Sequence, residues 1–256
     1  MTRTRTAALV GVVGGAGTTR LGIECAATLA RTDREVVVVD ADYATQGIAR
    51  HVDGEIDTDV TLATTDDVAV EEALFDLDLD LPGSVSVCPA RAPFERLARA
   101  KTAAAAEAFE TLLDDLIERA DHVLIDTPAI VENQAITAVT AADRVMLVAP
   151  DTPRGADAIQ RTRERLADIG TAADATILNR SSGDPIVPAD ACVPLGPPEE
   201  SPDPSDSVPA CTFAPETQFA AAIADAAEAV VDAPLDIDLS GPSPIDRVET
   251  VVERVR

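Results

Sequence analysis

Apolar, β-branched runs alternate with helically spaced apolar positions along most of this chain. Strand-like runs fall over 7–13, 35–42, 84–90, 122–129, 144–150 and 174–180. Between them, helical spacing covers 19–31, a short piece at 68–76, a long Ala-rich stretch over 93–120, and then 133–143, 154–169 and 216–232. Runs such as Val36–Val39 are apolar at every position, as strands covered on both faces require. Regular alternation of such strands with helices predicts an α/β fold, a doubly wound and mainly parallel sheet with helices on both faces. Right-handed crossovers place the strand C-termini along one edge, where ligands bind in such sheets.

The pattern breaks twice. Residues 181–215 hold nine of the 18 prolines and read as a Pro-rich loop insertion, with short strands expected at its ends over 191–195 and 209–213. Residues 234–244 are a second Pro/Asp-rich stretch, read as a linker. The alternating pattern therefore defines one domain over 1–233. Beyond the linker, Ile245, Val248, Val252 and Val255 form an apolar stripe, predicting a short amphipathic helix over 245–256.

Charge changes the picture of the surface. There are 46 acidic residues against 20 basic ones, a net charge of −26, and the only lysine is Lys101. The acids are spread through the apolar segments rather than gathered in a tail. An apolar share of 46% argues against disorder. Such a surface fits a halophile's salt-rich cytosol, where self-repulsion is screened, and it argues against direct binding of nucleic acid. Aromatic residues make up 2% of the chain, so the core must be aliphatic.

Cys25 and Cys88 sit inside apolar patterns and read as buried thiols in a reducing compartment; a Cys192–Cys211 pair is left open. The N-terminal apolar run breaks at Gly14–Gly15, against a secretion signal, and no run is long enough to span a bilayer. The expectation is a cytoplasmic protein. His51 and His122 have no partner at ligand spacing.

The chemistry gathers at the predicted strand ends. The first strand runs into Gly14-Gly15-Ala16-Gly17-Thr18-Thr19 and then a helix. The second ends at Asp40 and Asp42, the fourth at Asp126 and the sixth at Asn179-Arg180. Backbone N–H groups at a glycine-rich helix entrance hold anions, and nearby carboxylates hold a cation or its waters, so the set suits a phosphate–Mg²⁺ group. Two other readings stay open: a tight strand-to-helix turn with no ligand, and a Rossmann-type NAD site with Asp40 or Asp42 on the ribose. Val12 stands where a Rossmann loop has its first glycine, and no Lys, Tyr or His constellation accompanies the loop.

In this order of parts, from about residue 7 to 232, the chain resembles the MinD/ParA family of P-loop ATPases with a deviant Walker A loop. The resemblance implies a P-loop fold, ATP or ADP bound with Mg²⁺, dimerisation on ATP, protein partners, and work in positioning division sites, chromosomes or polar machinery. It assigns Gly14, Gly15, Ala16, Gly17, Thr18 and Thr19 to the phosphates, and Thr19, Asp40 and Asp126 to Mg²⁺, partly through water. Asp40 and Asp42 take the catalytic positions, and Asn179 with Arg180 the base. The family's two loop lysines fall on Val13 and Thr18, and Arg20 replaces a second hydroxyl. Arg20 lies two helical residues beyond Thr18, which turns its side chain about 200° away. Losing a charge-assisted contact removes about 1.5–3 kcal/mol and more at a transition state. The departures predict weak or absent nucleotide binding and inefficient hydrolysis. A nucleotide-independent scaffold is the further alternative. MinD-type members end in a membrane-binding amphipathic helix, but 245–256 lacks aromatics and balances three acids with three arginines, so docking on protein is favoured over membrane contact.

Overall fold

A computed structural model of the chain describes residues 4–66, 68–196, 209 and 214–237. Its centre is an eight-stranded sheet: β1 (Thr6–Gly11), β2 (Glu35–Asp40), β3 (Phe75–Asp76), β4 (Ser84–Cys88), β5 (His122–Thr127), β6 (Arg144–Pro150), β7 (Ala175–Ser181) and β8 (Ala191–Pro194). The order is β3-β4-β2-β5-β1-β6-β7-β8, parallel except for the two-residue edge strand β3. β5 lies between β1 and β2, whereas in a Rossmann sheet the first two strands are neighbours. That order sets the NAD reading aside.

Among the described residues seven α-helices cover the sheet: α1 (Thr18–Ala30), α2 (Val60–Thr65), α3 (Phe94–Ala100), α4 (Ala103–Arg119), α5 (Asn133–Ala141), α6 (Pro153–Asp168) and α7 (Gln218–Val231). Side chains alternate across a strand, so the valine run of β2 serves two layers. Val36 and Val38 pack with Leu21, Cys25 and Leu29 of α1 and with α7. Val37 and Val39 pack with Phe109, Leu113 and Leu116 of α4. Beyond β1, Val10, Val145 and Leu147 meet Ile159 and Leu166 of α6. Burial on both faces is what the unbroken apolar runs encode.

Three expectations change. The stretch 93–120 is two helices, because the Thr102 side chain accepts from Ala105 N at 3.3 Å and starts α4 afresh. Residues 68–76 form a single 3₁₀ turn, Val70–Ala73, and then β3. Pairing of Phe75 and Asp76 with Val87 and Ser86 on the sheet edge overrides the local helical spacing. Helix α2 was not expected; the buried Asp59 caps it by accepting from Leu62 N at 2.9 Å. The expected strand over 191–195 is present as β8. The strand expected over 209–213, apart from residue 209, and the helix over 245–256 lie outside the described residues, as does Cys211. Cys25 and Cys88 are buried, as expected, and neither is in a disulfide. Among the described residues no helix is long and apolar enough to cross a membrane.

Candidate nucleotide site

The loop between β1 and α1 supplies the first wall of the site. Gly17 starts α1 with φ 87°, in the left-handed region, and a Cβ there would collide with the Asn179 amide. Its lack of a side chain does two jobs: it turns the chain into the helix and lets β7 close on the loop. No side chain caps the first N–H groups of α1, so they are available to an anion.

The loop lines a cavity of about 400 Å³ together with Asp42, Thr45, Asp126 and the 127–132 segment after β5. Thr19 reaches into this wall and donates to Asp126 Oδ2 at 2.5 Å. β2 and β5 are in a register that sets Asp40 opposite Asp126. Two carboxylates thus meet in a buried place, with Asp42 close by. Burial pushes the Asp126 carboxyl up to about 7, against the lowering effect of the Thr19 hydroxyl, and the Asp42 charge adds to the rise. Burial also holds Asp40 well above the usual carboxylate range, helped by the charges of Asp126 and Asp42. A divalent cation beside these oxygens would relieve that strain, and hydroxyl plus carboxylate oxygens are the hard donors Mg²⁺ takes. Among the described residues no three His, Cys, Asp or Glu side chains converge to hold a metal on their own.

The Asp40 carboxylate is fully buried and is not among the residues that line the cavity. It accepts from Asp42 N at 2.9 Å and from Ile48 N and Ala90 N at 3.4 Å, so it fixes the loop after β2 instead of facing the cavity. Asp42 does face the cavity, and its Oδ1 accepts from Thr45 N at 3.1 Å.

Asn179 and Arg180 stand on the other side of the loop. Asn179 Nδ2 donates to Ala16 O and Arg180 donates to Gly15 O, both at 2.9 Å, clasping the loop to β7. They also line a second cavity, about 150 Å³, with Gly17, Leu21, Val193 and Phe219. Gly17 belongs to both walls, so the two cavities flank the glycine loop. Arg20 turns away from the larger cavity, as its helical position predicts: its guanidinium lies 5.2 Å from the centre of the Phe219 ring and pairs with Glu24 at 3.5 Å.

Sequence reasoning missed Glu132, which lines the phosphate cavity and precedes α5. Its Oε1 pairs with Lys101 Nζ at 2.7 Å and its Oε2 accepts from Gln134 Nε2 at 2.7 Å. Partial burial raises this carboxyl, but the bonds from Lys101 and Gln134 bring it below the usual range. An acid just after Asp126-Thr127-Pro128 and before the apolar pattern of 133–143 was the available signal. Gly47 was missed too; a Cβ there would press on the Thr19 hydroxyl at 2.7 Å, so this bend of the chain covers the expected Mg²⁺ position.

A parallel sheet, a glycine loop entering an uncapped helix and a hydroxyl on a buried strand-end aspartate define the site class of a P-loop ATPase. Comparison with known proteins agrees, for an AAA-domain family model matches residues 4–175. The chain belongs to this family, as a MinD/ParA-like P-loop member. It is 29% identical over 174 residues to an uncharacterized ATP-binding protein of Methanocaldococcus jannaschii, covering 67% of this chain and 62% of that one. It is 30% identical over 140 residues to the septum site-determining protein MinD of Synechocystis, covering 53% and 49%. The matched stretches thus span about half to three-fifths of these relatives. Among solved structures, MinD of Pyrococcus horikoshii with Mg-ADP has a TM-score of 0.73 at 21% identity, covering 88% of this chain and 95% of that one. The fold also carries other activities: a cobyrinic acid a,c-diamide synthase of Mycobacterium smegmatis, with ADP and magnesium, has a TM-score of 0.57 at 23% identity, covering 68% and 74%.

Proposed function

We propose that this protein binds ATP or ADP with Mg²⁺ weakly, hydrolyses ATP slowly if at all, and acts through protein partners in spatial positioning inside the cell. One observation supports the reading most directly. The phosphate cavity keeps its backbone cradle, Thr19 and Asp126, while no Lys or Arg is among its lining residues. The cradle, with Gly14, Gly15, Ala16, Gly17 and Thr18, would hold the phosphates through N–H groups. Thr19, with Asp126 partly through water, would hold Mg²⁺. When bound, the ion supplies charge neutralisation to the phosphates. Asp42 stands where it could orient an attacking water, and Asn179 with Arg180 at the base cavity. Thr18 and Val13 offer no charge to the leaving phosphate, which is why turnover should be slow.

The positioning role rests on the family and on the names of the relatives. A second copy or a partner would meet the cavity rim, where Val131 is 69% exposed. The test is a titration of purified protein in molar KCl with Mg-ATP and with NAD. Saturable Mg-ATP binding that weakens strongly in Asp126→Ala, with turnover far below ordinary ATPases, is expected. Rapid turnover abolished by Asp126→Ala would overturn the degenerate-site reading. Binding of neither ligand would favour the nucleotide-independent scaffold.

A further inference from the structure

The phosphate cavity presents a charge problem. Asp42, Asp126 and Glu132 face it, and no lining residue is cationic. A bound polyphosphate would add to that negative charge, and one Mg²⁺ would answer only part of it. Arg180 is engaged with the Gly15 carbonyl beside the base cavity, and Arg20 faces Phe219. Arg180 thus holds a backbone carbonyl of the wall, whereas Lys101 is the cation paired with a carboxylate of that wall, Glu132.

Several observations bear on that lysine. It is the only one in the chain. It sits at the corner where the expected single helix divides into α3 and α4. The corner is clipped to the start of α5: Asn133 Nδ2 donates to Lys101 O at 2.9 Å. Its ammonium is delivered to Glu132, a residue of the cavity wall, at 2.7 Å. The main chain of Lys101 is thus fixed while its four-carbon stem remains able to redirect the charge. Glu132 keeps the Gln134 amide on its other oxygen when the lysine leaves. Glu132 thus holds the ammonium at the cavity edge while having a second partner of its own in Gln134.

We propose that Lys101, held by Glu132 at the edge of the cavity, is the phosphate-binding cation of this site, supplied from the α3–α4 corner in place of a lysine in the loop. The inference rests on the nucleotide reading above. In the free protein the ammonium pairs with Glu132. With a nucleoside di- or triphosphate bound, it turns to the terminal phosphates, and Glu132 is left with Gln134.

The experiment is calorimetric titration with Mg-ATP and AMP in molar KCl, using the full chain. Lys101→Ala should weaken Mg-ATP binding by about tenfold or more, the loss of one charge-assisted contact. AMP, which lacks the outer phosphates, should be unaffected, and Lys101→Arg should recover most of the loss. Glu132→Gln should tighten Mg-ATP binding by freeing the ammonium, and this gain should vanish when Lys101 is already alanine. A pair that only braces the fold would weaken binding when either partner is changed. Unchanged Mg-ATP affinity in Lys101→Ala would overturn the proposal, as would a Glu132→Gln gain that persists without the lysine. Absence of Mg-ATP binding by the unaltered protein would sink the nucleotide reading itself, a result distinct from either.

Discussion

Asp126→Asn should stabilise the metal-free protein at pH 8, although it removes a residue at the centre of the site. Asp126 is 3% exposed, sits opposite Asp40 across the β2–β5 register and has one side-chain donor, the Thr19 hydroxyl. Its carboxyl rises from 3.8 to about 7, chiefly through burial. The folded state then holds this proton more tightly than the unfolded chain does. The Asp126 contribution to stability is fullest below about pH 4, falls as pH rises toward 7, and is level above. About three pH units at ~1.4 kcal/mol each give an upper bound of roughly 4 kcal/mol for the burden at pH 8. Part of that belongs jointly to Asp40, whose own rise includes the Asp126 charge, so a gain of about 2–4 kcal/mol is expected. Asn keeps the shape and can still accept from Thr19. Urea denaturation in molar KCl with a chelator, at pH 4, 6 and 8, measures the gap between variant and unaltered protein. The common effect of net charge cancels in that difference. The gap should shrink toward pH 4, and Mg²⁺ should stabilise the unaltered protein at pH 8 but not the variant. A variant no more stable at pH 8, or a gap that does not change with pH, would refute the account of Asp126 as an ionised group held at a loss for a cation.

Three further outcomes are expected. Thr18→Lys places an ammonium in a wall that carries three carboxylates and should tighten Mg-ATP binding by about tenfold or more, read by titration; unchanged affinity would contradict the account of the missing charge. Asn179→Ala breaks the clasp on Ala16 O, and should lower the melting temperature by about 2–4 °C and reduce discrimination between Mg-ATP and Mg-GTP. Asp59→Ala strips the cap of α2 and leaves Arg96, its partner at 3.1 Å, without that counter-charge; denaturation should show a loss of about 3 kcal/mol or more, with Mg-ATP affinity little changed because Asp59 is not on the cavity wall.

The sequence alone determined the layered α/β fold, because burial on both faces forces unbroken apolar runs and the helices between them carry one apolar face. It also located the glycine loop, Thr19 and Asp126, since glycines with positive φ and acids ending apolar strands are rare enough to stand out. The rotation of Arg20 followed from helix geometry. What it could not determine was how segments distant in the chain meet. Asp40 and Asp126 have the same signature, an acid after a valine- or isoleucine-rich strand, yet only Asp126 faces the cavity. Asp40 differs because the backbone of residues 42, 48 and 90 closes over it. Lys101 looked like one position within a long helix. A capping hydroxyl at Thr102 breaks that helix, and an Asn133 contact docks the corner beside Glu132. Propensity and periodicity act over a few neighbouring residues. The pairing of a corner with a helix start more than thirty residues away is decided by packing and sheet order, and here it decides that Lys101 meets Glu132.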